Sequence, residues 1–211
     1  MLNAKRILVL APHTDDGELG AGGLIHKYAP SVEKVYYAAF SRCDESLPKG
    51  FEPGTLVHEC RDATALLGIP PENVEVMDFT VRRFHERRQD VLDQMIRLRK
   101  AISPTLVLAP NSNDVHQDHQ IIHQEAMRAF KTTTLLGYEL PWNSRRFDFD
   151  LVVGLSEANL AAKTAAMGAY KSQAARPYSQ SDMLRAIAAY HGIKGGLPLA
   201  EAFEVLRWID P

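Results

Sequence analysis

The feature that most constrains the fold is the alternation of short apolar runs with longer amphipathic segments along the chain. Residues 7–10 are apolar at every position, which is typical of a strand buried on both faces. Strands are also predicted at 35–40, 74–79, 106–109, 135–138 and 151–153. Helices are predicted at 20–28, 56–67, 90–101, 118–130, 159–169, 181–189 and 200–209, the last with an alternative strand at 203–207.

A strand followed by a helix, repeated, predicts parallel strands joined by crossover helices. The pattern therefore predicts an α/β fold: a single Rossmann-like domain over residues 1–211, with a doubly wound, mostly parallel sheet flanked by helices. At 211 residues the chain is long enough to bury a core without disulfides.

The composition of the chain argues against some classes of binding partner. The net charge of −2 argues against general nucleic-acid binding or polybasic membrane binding. No apolar run approaches the ~20 residues that a membrane helix needs. The two cysteines, Cys43 and Cys60, lack CxxC spacing, which favours a cytoplasmic location. We expect no nucleic-acid or membrane partner, while a homo-oligomer remains open.

Two clusters of potential metal ligands follow predicted strands. His13, Asp15 and Asp16 come after the first strand, and Asp114, His116, Asp118 and His119 come after the fourth. In a doubly wound sheet, the carboxyl ends of the strands form the active-site edge. A catalytic zinc takes about three nitrogen or oxygen ligands and keeps one position open. His13, Asp16 and His119 could supply them, for zinc or for iron(II), manganese or cobalt.

The same residues also have purely structural interpretations. The aspartates are good helix caps, and His119 and His123 stand four residues apart on one helix face, as a surface pair would. The glycines at 20, 22 and 23 could serve only close packing. The convergence of both clusters on one sheet edge nevertheless favours a metal centre.

Both loops resemble motifs of one enzyme family. The sequence PHTDDGELGAGG at 12–23 resembles the PHPDDxELGxGG signature of the PIG-L/LmbE-like zinc-dependent de-N-acetylases. The sequence DVHQDH at 114–119 resembles their second motif, DxHxDH. YKSQ at 170–173 and AEAF at 200–203 are weaker matches. Thr14 and Gly17 depart from the signature, at positions that are not ligands in that family.

The resemblance implies a metal hydrolase that removes acetyl from an N-acetylglucosamine-type conjugate, a small-molecule substrate. It implies that His13, Asp16 and His119 bind Zn²⁺, with Fe²⁺ or another divalent metal as alternatives. Asp15 would be the general base toward a zinc-bound water. His116, protonated, would be the acid or oxyanion partner.

We expect the residues that contact substrate to lie at the same edge of the sheet. Glu139 and Trp142 follow a predicted strand, where the carboxylate could bind hydroxyls and the indole could stack on a sugar ring. Arg42 follows the second strand and could clamp a hydroxyl or a phosphate. Structural roles for Trp142 and Arg42 remain open. The arginine-rich run at 82–88 is interpreted as a solvated segment or as a rim for an anionic substrate.

Two other functional classes fit the residues. One is a metal hydrolase acting on an ester, a carbamoyl group or another acyl group. The other is a non-catalytic sugar- or nucleotide-binding protein of Rossmann-like fold. A dinucleotide oxidoreductase is disfavoured because the GxGxxG fingerprint is missing.

Overall fold

The computed structural model describes residues 4–210 and contains a seven-stranded sheet. The strands are β1 (Arg6–Ala11), β2 (Lys34–Ala39), β3 (Val74–Val76), β4 (Leu106–Pro110), β5 (Thr134–Tyr138), β6 (Leu151–Gly154) and β7 (Ala200–Arg207). Their order across the sheet is β3-β2-β1-β4-β5-β7-β6. The first five are parallel, and β7 runs antiparallel to both of its neighbours. The predicted α/β class with a mostly parallel sheet is confirmed.

Helices cover both faces of the sheet. They are α1 (Asp16–Tyr28), α2 (Thr55–Leu66), α3 (Arg88–Ile102), α4 (Gln117–Ala129), α5 (Glu157–Ala169) and α6 (Ser181–Gly195). Residues of α1, α2, α5 and α6 share one hydrophobic cluster, and residues of α3 and α4 share the other. Within the described residues, no helix combines the length and apolar character required to cross a bilayer.

Strand β1 contributes side chains to both hydrophobic clusters, as its unbroken apolar run predicts. Ile7 and Val9 face the cluster of α1, α2, α5 and α6, whereas Leu8 and Leu10 face that of α3 and α4. All four side chains are fully buried. Because β1 lies between β2 and β4, the loop after β1 emerges beside the loop after β4.

Helix α1 begins at Asp16, four residues before the predicted start at residue 20. Its glycines lie inside the helix, and two of them are contact points with buried side chains. A Cβ on Gly20 would lie 2.3 Å from Cδ2 of Tyr138, and one on Gly17 would lie 2.6 Å from Cε2 of Tyr37. Glycine therefore lets the helix sit directly on two buried tyrosine rings.

The helix predicted for residues 200–209 is wrong, because residues 200–207 form strand β7. Their alanine, glutamate and leucine content favours a helix by propensity alone. Tertiary contacts override that preference, since β7 fills the gap between β5 and β6. Buried Glu201 accepts hydrogen bonds from the amides of Gly23 and Leu24 in α1 and pairs with Lys163 at 2.7 Å.

The observed ends of two other elements also differ from the predicted ones. The third strand ends at Val76 rather than at residue 79, although the amides of Met77 and Phe79 still donate to carbonyls along β2 and its end. Helix α6 continues to Gly195, beyond the predicted end at residue 189, and Gly196 then takes a left-handed conformation with φ of 67°.

Candidate metal centre

The loops after β1 and β4 meet over a pocket of about 340 Å³ at the carboxyl edge of the sheet. The predicted residues that line it are His13, Asp15, Asp16, His116, His119 and Trp142. Asp16 opens α1, and His116 is the N-cap of α4, so two helix N-termini hold the site. Most of the residues singled out from the sequence therefore share one cavity.

Three ligand atoms form a small triangle in this pocket. Nδ1 of His13 lies 3.0 Å from Oδ2 of Asp16 and 3.1 Å from Nε2 of His119, which is 3.3 Å from the same oxygen. Ligands bound to a tetrahedral zinc at about 2.0–2.2 Å stand about 3.3–3.6 Å apart. The triangle, with sides of 3.0–3.3 Å, is therefore slightly smaller than three corners of such a site.

Each histidine of the triangle is oriented by a second carboxylate. Nε2 of His13 lies 3.0 Å from Oδ2 of Asp118, and Nδ1 of His119 lies 2.7 Å from Oδ2 of Asp114. A carboxylate at one ring nitrogen holds a proton there and leaves a lone pair on the other nitrogen. Both lone pairs then face the carboxylate of Asp16 at close range.

Three electron-pair donors that converge in this way repel one another unless a proton or a metal cation lies between them. The donor set, two imidazoles and one carboxylate, suits a divalent metal such as zinc or iron(II). His116 adds a third imidazole, and the nitrogens of the three rings lie within 4.8 Å of one another. The residues present thus fit a divalent metal ion, with His13, Asp16 and His119 as the more closely spaced donors.

The sequence analysis counted Asp114 and Asp118 among the potential ligands, with helix capping as the alternative, and missed their contacts with the two histidine rings. Asp118 is fully buried and also accepts hydrogen bonds from the amides of Arg82 and Phe84. Asp114 accepts from the amide of His116 at 2.9 Å. The available signal was that both lie within five residues of His119 in one loop.

Asp15 is the N-cap residue of α1, but its side chain makes no capping hydrogen bond and the residue lines the pocket. Within residues 4–210 its carboxylate forms no ion pair, in contrast to Asp16, Asp114 and Asp118. Burial, and then the adjacent charge of Asp16, raise the pKa of Asp15 to about 6. A carboxylate of that pKa is mostly ionised at pH 7 and is a better proton acceptor than an ordinary aspartate.

His116 is positioned by its own helix. Its Nδ1 accepts a hydrogen bond from the amide of Asp118 at 3.2 Å, so in a neutral ring the proton is on Nε2. Burial, followed by the charges of His119 and His13, lowers the pKa of His116 to about 4. In its neutral form the ring therefore carries an Nε2–H that can donate a hydrogen bond into the pocket.

A buried cluster of two tyrosine hydroxyls and one carboxyl group supports the loop that follows β1. The hydroxyls of Tyr37 and Tyr170 contact the carbonyl of Thr14 at 2.9 and 2.6 Å, and both also contact the carboxyl group of Glu18. Burial raises the pKa of Glu18 to about 8. The peptide that carries Asp15 is thus held by two phenols, one from β2 and one from the YKSQ segment.

The three predicted substrate contacts have different locations. Trp142 lines the pocket and stacks on Tyr178 with ring centroids 3.7 Å apart. Arg42 lies outside the pocket lining and pairs with Asp44 at 3.2 Å. Glu139 lies in a separate small cavity and pairs with His191 at 3.2 Å. The structure therefore brings Trp142 to the site, but not Arg42 or Glu139.

The chain was then compared with known proteins. The family model described as GlcNAc-PI de-N-acetylase (PIG-L) matches residues 8–130, more than half of the chain. That stretch includes both ligand loops. Comparison with curated protein sequences finds no match.

Several solved structures share the fold over almost the whole chain. The conserved protein TT1542 from Thermus thermophilus is 24% identical, with a TM-score of 0.81 over 97% of this chain and 96% of that one. N,N'-diacetylchitobiose deacetylase from Pyrococcus horikoshii is 20% identical, with a TM-score of 0.77 over 97% and 84%. The 4-carboxy-2-hydroxymuconate hydratase GalB from Pseudomonas putida is 16% identical, with a TM-score of 0.77 over 98% of each chain. At these identities the likeness establishes the fold alone.

Proposed function

This chain belongs to the family of GlcNAc-PI de-N-acetylases (PIG-L), and on that premise we propose that it is a metal-dependent hydrolase of N-acetylated amino sugars. The substrate would be an N-acetylglucosamine-type conjugate, and the products would be acetate and a free amino sugar. The proposed ligands are His13, Asp16 and His119. Zinc is the proposed metal, with iron(II) as the main alternative.

One observation carries the proposal. Ring nitrogens of His13 and His119 and an oxygen of Asp16 converge within 3.0–3.3 Å, and the carboxylate of Asp15, which forms no ion pair within residues 4–210, lines the same pocket. A site that only bound a sugar would not need a carboxylate free to accept a proton beside a cation site. A fold match alone could not support the assignment, because GalB, a hydratase, has the same fold.

The proposed mechanism assigns separate tasks to two residues. When bound, a divalent metal supplies Lewis-acid activation of water and of the amide carbonyl. Asp15 accepts the proton of the attacking water and later delivers it to the leaving amine nitrogen, so that the C–N bond breaks without releasing an amide anion. The Nε2–H of His116 donates a hydrogen bond to the carbonyl oxygen as negative charge develops there.

We further propose that the sugar ring packs against Trp142. The indole is 42% exposed and is kept in place by the stacked ring of Tyr178, with an interplanar angle of 13°. A rigid aromatic face at the pocket suits the apolar face of a pyranose. Arg42 and Glu139 have no part in this proposal, since each lies outside the pocket and is paired with another side chain.

The test combines metal content with product formation. Elemental analysis should find about one divalent metal per chain, and amine should be released from N-acetylglucosamine conjugates in a chelator-sensitive way. His119→Ala should lose both metal and activity. His123→Ala is the matched control, because His123 lies one turn further along α4 and bonds instead to the carbonyl of Pro110 at 3.0 Å. Bound metal without amine release from any conjugate would overturn the deacetylase assignment.

A further inference from the structure

Glu139 and His191 form a shielded pair on the far side of the segment that brings Trp142 to the pocket. Oε2 of Glu139 lies 3.2 Å from Nε2 of His191, and both residues line a cavity of about 20 Å³ that is separate from the candidate metal centre. The two side chains are 17% and 5% exposed, so little solvent reaches the contact. Neither residue lines the pocket of the metal centre, and the proposed mechanism uses neither.

The ring of His191 is fixed by the groups around it. Three aromatic rings have their centroids 5.5–6.1 Å from that of His191, namely those of Phe147, Phe149 and Tyr190. The cavity also contains Lys163 and Glu201, and these two pair with each other at 2.7 Å. Because those charges are satisfied by each other, the carboxylate of Glu139 depends on His191.

Glu139 is the first residue of the Trp142 turn, defined here as residues 139–144. The carbonyl of Leu140 accepts the amide of Asn143 at 2.9 Å, which closes the turn around Trp142. Leu140 is fully buried, whereas Trp142 and Asn143 line the pocket. The position of the indole therefore depends on how the start of this turn is anchored.

The other end of the Trp142 turn is tied to the loop after β4. Nδ2 of Asn111 donates to Oγ of Ser144 at 2.9 Å, and the amide of Val115 donates to the carbonyl of Asn143 at 3.0 Å. Asp114 forms a β-bridge with Ser144. The turn thus has two anchors, and the one at Glu139 is remote from the candidate metal ligands.

The segment that contains His191 also supports the indole itself. Tyr178, which stacks on Trp142, lies in a short 3-10 turn at 177–179, just before α6. His191 lies near the other end of α6. One end of this segment therefore packs on the ring, and the other end contacts the residue with which the Trp142 turn begins.

We infer that Glu139 and His191 are a positioning pair for Trp142, and that their contact holds the Trp142 turn so that the indole presents its free face to the sugar. This inference rests on the proposed function, because it concerns the residue that we propose for the sugar ring. A binding face that is already ordered does not have to be ordered when the ligand arrives, which favours binding. Neither member of the pair contacts the sugar, so both act through Trp142.

The first test follows the indole and does not depend on turnover. The chain has two tryptophans, so Trp208→Phe leaves Trp142 as the only one. In this background, with full-length and metal-loaded protein, Glu139→Leu should raise the acrylamide quenching of Trp142 and shift its emission to longer wavelength. Glu139→Gln, which keeps an oxygen in place of the carboxylate, should change both less. Unchanged quenching and emission in Glu139→Leu would overturn the positioning role.

The second test separates binding from chemistry, with the methyl glycoside of N-acetylglucosamine as the probe. Glu139→Leu and His191→Phe should each raise KM by about 3- to 10-fold, because the indole must then be ordered at each binding event. Both should leave kcat and metal content unchanged, since the loop after β4 still holds the other end of the turn. His26→Phe is the matched control, because His26 contacts Asn159 at 3.0 Å and lies outside the pocket.

A double-mutant cycle separates positioning of the indole from a general loss of stability. In a Trp142→Ala background, Glu139→Leu should no longer change KM, because the residue through which it acts has been removed. An equal increase in KM in both backgrounds would overturn the positioning role and leave the deacetylase function standing. Absence of amine from every N-acetylglucosamine conjugate would overturn the deacetylase function, while the fluorescence of Trp142 would still decide the positioning pair.

Discussion

The hydroxyl of Tyr170 allows a sharp test of how the loop that carries Asp15 is held. It contacts the carbonyl of Thr14 at 2.6 Å and Oε1 of Glu18 at 2.8 Å, in a fully buried position. Tyr170→Phe keeps the ring and removes these contacts. The peptide between Thr14 and Asp15 then depends on Tyr37 alone, and we expect the carboxylate of Asp15 to lose its fixed position.

The expected changes in stability and in kcat follow from the contacts that Tyr170→Phe removes. A buried acceptor left without its donor costs about 1–3 kcal/mol in the free energy of unfolding. For a chain of this size each 1 kcal/mol lowers Tm by about 2–4 °C. Displacement of a reacting group by about 1 Å can cost up to about 100-fold in rate. We therefore expect kcat to fall by about 10- to 100-fold, with KM and metal content unchanged.

The matched control is Tyr138→Phe. Tyr138 is also fully buried, and its hydroxyl donates to the carbonyl of Leu10 at 3.0 Å, in β1, which the sheet holds from both sides. The control should lose similar stability and keep kcat within about twofold of wild type. Urea denaturation and initial rates of amine release measure the two quantities. Equal kcat values for the two variants, at equal folded fraction, would refute the positioning role of the phenol.

Three further predictions concern the candidate site and the residues that hold it in place. Asp15→Asn should retain its metal, as measured by elemental analysis, and lower kcat by at least about 100-fold. Near-normal turnover would show that Asp15 is not the general base. Asp118→Asn should weaken metal binding by about 10- to 100-fold in chelator competition, and unchanged affinity would show that His13 needs no orienting carboxylate. Gly20→Ala should lower the unfolding free energy by about 1–3 kcal/mol in urea, because its Cβ would overlap the ring of Tyr138; wild-type stability would mean that the ring yields freely.

The convergence of the candidate metal ligands was predictable because their chemistry coincides with strong fold signals. His13 and His119 follow two apolar runs that are typical of buried parallel strands, and such strands end at one edge of the sheet. The structure brings the two rings within 3.1 Å between nitrogens. Contact between residues 106 positions apart was thus inferred from the order of the elements.

The remaining features depend on tertiary contacts that local pattern does not encode. Residues 200–207 have helical propensity, yet they form β7 because an unfilled position beside β5 and a buried pairing of Glu201 with Lys163 outweigh it. Asp118 looked like a helix cap because only the fold brings His13 to its carboxylate. Glu139 follows a strand as predicted, but its side chain is turned to His191 in another cavity.

The carboxylate of Asp118 links two processes that are usually treated as separate. One group fixes the ring of His13 and also accepts the amides of Arg82 and Phe84. We therefore expect metal binding in the proposed ligand triangle and ordering of the turn at Arg82 to favour each other. By reciprocity, a ligand that stabilises this turn must tighten metal binding by the same factor by which metal tightens the ligand. The protein would then retain its metal most firmly while substrate is bound and release it most readily when the pocket is empty.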